Sequence, residues 1–143
     1  MRRLTAAGDQ LRRADGLPAV LDAACDAFED ILAIIGAYED TATSTAITIV
    51  FLLAATQAAN GRDAVLFAPS LPPGSLRPRP ATGQPQRETT DDITTAVADL
   101  SRLLASRLAA TAAIAAAAAD RAACHDAARY ARQVSDLLTG EDL

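Results

Sequence analysis

The sequence predicts an all-α protein: a four- to five-helix antiparallel bundle whose two helical halves are joined by a long proline-rich linker. Three observations lead there. Apolar residues recur at helical spacing over most of the chain. Six of the seven prolines gather between residues 69 and 85. The single β-branched run, residues 47–53, has no second run with which to pair. About a quarter of the 143 residues are Ala, the strongest helix former, and the length suits one domain.

Residues 2–15 read as a short amphipathic helix. Leu4, Ala7 and Leu11 share one face, with Arg2, Arg3, Arg12 and Arg13 on the other. Gly16 ends it, and Pro18 suits the first turn of the next helix, where its missing N–H costs nothing.

Helix 17–38 carries the clearest periodicity. Leu17, Leu21, Ala24, Phe28, Ile31, Ile35 and Tyr38 alternate spacings of four and three, an a/d stripe over three heptads. Asp22, Asp26, Glu29 and Asp30 fall opposite, on a side the pattern assigns to water.

Residues 41–60 are read as a helix despite their β-branched content, because the apolar segment is long and Asn60-Gly61 supplies a stop. This helix is apolar nearly all round, so it is expected to be the central, most buried one. Residues 61–89 follow as the proline-rich loop, too rich in proline to be helical.

From residue 89 to 139 there is no Gly or Pro. Thr89 or Thr90 can cap the start, and Asp91 and Asp92 favour a helix N-terminus. Ile93, Val97, Leu100, Leu104, Leu108 and Ile114 form one apolar line. A single helix of about 48 residues would reach roughly 72 Å, twice the length of its neighbours. A break near Ala119-Asp120 with Asp120 as cap is therefore expected, giving helices 90–118 and 120–138.

Charge and composition narrow the function. The net charge is −5, and all thirteen basic residues are Arg. Nucleic-acid binding needs a basic face, which only Arg2, Arg3, Arg12 and Arg13, or Arg77, Arg79 and Arg87, begin to supply. Cys25 and Cys124 are too few for a disulfide framework. No apolar stretch follows the charged start, so no signal peptide is read. The most apolar run, residues 46–55, falls short of the roughly 18 residues a membrane span needs. A cytoplasmic protein without membrane contact is expected. Ala, Arg, Asp and Gly have GC-rich codons, which fits a bacterial genome of high GC content.

Three residue groups carry candidate chemistry. Cys124-His125-Asp126 has the types of a catalytic set, but consecutive helical residues point about 100° apart and do not converge. Metal binding by Cys25, Cys124 and His125 lacks any paired ligand spacing. Asp22, Asp26 and Asp30 recur every fourth residue and, with Glu29, offer the one carboxylate line on which Mg²⁺ could sit. Arg121 and His125, one turn apart, read as a surface charge cluster with Asp120 and Asp126. In the linker, Arg77, Pro78, Arg79 and Pro80 form either a stiff spacer or a proline-rich ligand for a partner's aromatic groove.

The sequence thus points to a non-enzymatic helical bundle that acts by protein–protein interaction and forms a homodimer. Its packing stripe is Leu21, Phe28, Ile31 and Ile35, and it calls for no cofactor. The alternative is a small metal- or small-molecule-dependent enzyme built on Asp22, Asp26 and Asp30. A weaker alternative is a regulator whose Arg-rich N-terminal helix touches nucleic acid.

Overall fold

A computed structural model describes residues 2–39, 44–75 and 89–140. Among these residues the chain forms five helices and no strand: α1 (Arg2–Arg13), α2 (Leu17–Glu39), α3 (Thr45–Leu66), α4 (Thr90–Ile114) and α5 (Ala118–Thr139).

The helix ends follow local chemistry in part. At α3 the Ser44 hydroxyl accepts from the Ile47 N–H at 3.1 Å, satisfying one orphan donor. At α4 the Thr89 hydroxyl accepts from the Asp92 N–H, and the Asp92 carboxylate accepts from the Thr89 N–H, both at 3.1 Å. Gly140, at φ 73°, closes α5 in the left-handed conformation that an L side chain disfavours.

Besides α1 ending at Arg13 rather than residue 15 and α3 beginning at Thr45 rather than residue 41, two boundaries differ from the sequence expectation. The first is the far end of α3, which continues through Asn60 and Gly61 to Leu66, so the loop starts later than residue 61. Gly61 does not stop this helix; it lets α3 approach α2. A Cβ there would lie 2.5 Å from two ring carbons of Phe28.

The second is the break between α4 and α5, which falls at residues 115–117 rather than at 119–120. No residue there disfavours helix. Instead the Arg121 guanidinium reaches back to the carbonyls of Ala115 and Ala116, at 3.0 and 2.7 Å. Asp120 is the third residue of α5 and does not cap it. Its carboxylate accepts from the Ser70 N–H at 3.0 Å and from the Ser70 hydroxyl at 2.7 Å, tying the turn after α3 to the start of α5.

The central helix is α2, not α3. It packs on α1, α3 and α4. Residues 23–28 are buried without interruption, more than a full turn, so the helix is enclosed on every side there. The expected solvated acidic face is therefore absent: Asp26 and Asp30 are buried beneath α1. Gln10 donates to Asp26 at 3.4 Å, and the Arg3 Nε lies 3.6 Å from the Asp30 carboxylate. Burial is tolerable because these carboxylates face donors.

The α1 helix lays Leu4, Ala7 and Leu11 against the core between α2 and α4. Its C-terminal carbonyls are satisfied from a distance. Arg107 of α4 donates to the carbonyl oxygens of Leu11 and Ala14, at 3.1 and 2.6 Å. α4 and α5 pack on each other, and small side chains on both, Ser101 and Ala105 on α4 and Ala127 and Ala131 on α5, are buried.

The Phe28–Gly61 contact makes a quantitative prediction. In an open helix, Gly→Ala stabilises by about 0.5–1 kcal/mol through propensity. At Gly61 the added methyl overlaps a fully buried ring. Overpacking of about 1–3 kcal/mol should win, so Gly61→Ala lowers stability. Urea denaturation checks it, and the double variant with Phe28→Leu should recover part of the loss.

Candidate functional site

Three carboxylates of α2, Asp26, Glu29 and Asp30, are already engaged. Asp26 and Asp30 lie under α1, as above. Glu29 accepts from the Arg62 Nη1 of α3 at 3.1 Å, and Arg62 also pairs with Asp63 at 3.2 Å. Asp22 is half-buried. No group of three or more His, Cys, Asp or Glu side chains is arranged to hold a metal ion among the described residues.

The two cysteines are both fully buried. Burial pushes the Cys25 thiol up to about 11, helped by the charges of Asp26, Glu29 and Asp22 and opposed by Arg62. Burial, with Asp120 nearby, pushes Cys124 to about 11 as well. Thiols held protonated are poor nucleophiles and poor ligands. They also stay apart: no Cα of α2 comes within 8 Å of one in α5, beyond what a disulfide spans. His125 and Asp126 are exposed while Cys124 points inward, and Asp126 pairs with Arg129 at 3.7 Å.

The N-terminal arginines are likewise divided. Arg3 is directed to Asp30, Arg12 pairs with Asp9 at 3.4 Å, and Arg2 and Arg13 are exposed. Arg77, Pro78, Arg79 and Pro80 lie outside the described residues. Two of the shallow grooves among the described residues bear on this. One, of about 220 Å³, runs between α1 and α4 past Gly8, Arg12, Asp99 and Leu103. The other, of about 280 Å³, runs between α4 and α5 past Arg102, Ser106, Arg132 and Ser135. Neither groove is lined by a histidine or a cysteine, and the one carboxylate that lines either, Asp99, is held by Arg102 at 2.9 Å.

The unusual surface is on α3. Its inner line, Phe51, Ala54, Ala58, Gly61 and Val65, is buried and spaced three and four apart. At about 100° per residue, Thr45, Ile49, Leu52, Leu53 and Thr56 fall on the opposite side. There Ile49, Leu52 and Leu53 are 51%, 55% and 46% exposed. Residues 44–61 contain no charged side chain. The sequence expectation makes this uncharged stretch the central, most buried helix. The signal it missed is the run of small residues Ala54, Ala58 and Gly61 between Phe51 and Val65 on the inner line, which leaves Ile49, Leu52 and Leu53 outside it.

The a/d stripe has the reverse placement. Leu21, Phe28, Ile31 and Ile35 are buried in the chain's own core, where α1, α3 and α4 already supply their packing, so they offer nothing to a partner. Phe67 and Ile114 are also exposed, at the C-terminal ends of α3 and α4.

The buried thiols predict a pH response. Unfolding returns each thiol from about 11 to its ordinary value of 9.0, so the folded state binds protons more tightly in that window. Stability is complete below about pH 9 and falls as pH rises toward 11. Urea midpoints at pH 8 and pH 10.5 should differ accordingly, and replacing both cysteines with Ala should shrink the difference. Compared with known protein families, with curated proteins and with solved structures, the chain shows no significant match.

Proposed function

We propose that this protein works by binding protein rather than by catalysing a reaction, and that it binds a second copy of itself. One observation carries this reading: three large aliphatic side chains stand half-exposed together on an uncharged helical segment. Scattered exposed apolar residues are ordinary, but a contiguous set on one helix face is typical of an interaction site. An uncharged face can be covered by its own copy without stripping water from any charge. A two-fold contact also uses one patch twice, so no second surface has to be found.

Other features fit the same reading. The three-residue connection between α4 and α5 suits an antiparallel hairpin, and we read the five helices as an antiparallel bundle. Catalysis on the Asp22, Asp26 and Asp30 line would need those carboxylates open, whereas α1 covers two of them. No helix among the described residues is long and apolar enough to cross a membrane, and we place the protein in the cytoplasm. Arg77, Pro78, Arg79 and Pro80 offer a second route to a protein partner, as a proline-rich ligand.

Sedimentation equilibrium at micromolar concentration tests the reading. The expected mass is twice the 14.8 kDa of the chain. Leu52→Glu should return it to the monomer mass while leaving helical circular dichroism intact, because Leu52 faces away from the core. A monomeric wild type would overturn self-association. By contrast, Ile35→Asp should unfold the chain itself, since Ile35 lies in its own core.

A further inference from the structure

The uncovered face of α3 also carries the geometry of the contact, and this step rests on the self-association reading above. We propose that α3 pairs with α3 of a second copy in antiparallel fashion, about a two-fold axis passing between Leu52 and Leu53.

The charges along the outer stripe select this arrangement. From Thr45 to Thr56 the stripe is uncharged; beyond it come Asn60 and then Asp63. In a parallel pair each residue faces its own copy, which sets one Asp63 against the other. The two helix dipoles then also point the same way. Arg62, held between Glu29 and Asp63, offsets only part of that repulsion.

In the antiparallel pair centred on residues 52 and 53, Thr45 faces Asn60 of the other copy. Asp63 then falls three residues, about 4.5 Å, past the first residue of the facing helix. That is beside the N-terminus of the facing helix, whose first-turn N–H groups, one of them already capped by Ser44, place partial positive charge there. Ile49, Leu52 and Leu53 of both copies meet in the middle, with Thr56 at each edge.

Area supports using the whole stripe. A stable interface covers about 800 Å² per partner, more than three half-exposed aliphatics can provide. Pairing over residues 45–60 brings about 24 Å of helix into contact and adds Thr45, Ala46 and Thr56 to the buried surface. A membrane surface is a poorer occupant. Residues 44–61 carry no cation, and the chain is net negative, so anionic lipid would repel it.

Cross-linking of the full chain tests the arrangement. Thr45→Cys and Asn60→Cys leave every exposed aliphatic in place, and the native thiols are buried and protonated. The two variants, one bearing an affinity tag, are treated with a short bismaleimide separately and as a mixture. Sedimentation equilibrium first records the mass of each. The expected result is a linked species in the mixture and none with either variant alone, where the thiols lie about 22 Å apart along the axis. Linking of each variant with itself would establish a parallel pair and overturn the proposal. A dimer mass with no linking in any sample would place the contact elsewhere, overturning the arrangement while self-association stands. A monomer mass would overturn both.

Discussion

Phe28 seated in the notch left by Gly61 sets the spacing of α2 and α3, and most of the remaining architecture follows from it. The chain has three Phe and no Trp, and its remaining core residues are largely Ala and medium aliphatics. Such a core gains stability only where backbones approach closely, because each methyl removes little area from water. A glycine opposite the largest buried side chain permits that approach. The inner line of α3 is small around that notch, at Ala54, Ala58 and Gly61, with Phe51 and Val65 at its two ends, and Ile49, Leu52 and Leu53 are left on the outside. The exposed face of α3 is thus the geometric counterpart of close packing within the core.

A second layer of organisation is polar and depends on arginine. Arg107 satisfies the C-terminal carbonyls of α1, Arg121 those at the end of α4, and Arg62 joins α3 to α2 through Glu29. A guanidinium presents several donors in a rigid plane, so one side chain can hold two carbonyls at once, as Arg107 and Arg121 both do. The two deepest carboxylates of α2 are accommodated in the same manner, by donors brought in on α1. Helices that lack capping residues of their own are closed by side chains from neighbours.

What was legible in the sequence divides along the same line. The identity of the helices, the apolar stripe of Leu21, Phe28, Ile31 and Ile35, and the cap at Thr89 are local properties; the first two come from periodicity and the last from a side chain and an amide three residues apart. What was not legible depends on partners distant in sequence. The acidic side of α2 looked solvated because nothing within α2 reports that Arg3 and Gln10 will cover it. The position of the α4–α5 break depends on Arg121, and the role of Asp120 on Ser70, fifty residues away. The uncharged segment 44–61 was ambiguous in principle, since burial and an unoccupied contact face ask for the same composition.

The corner between α4 and α5 is made almost wholly of alanine, residues 115–119. Nearest-neighbour preference there favours one continuous rod, and the native fold overrules it. This is local frustration in the landscape sense: a segment whose intrinsic choice and whose native choice disagree. The native corner draws its stability from long-range and reach-back contacts, so it raises the contact order of an otherwise local, helical chain. The corner is therefore fastened twice, once within the hairpin by Arg121 and once from outside it, where Ser70 donates to Asp120.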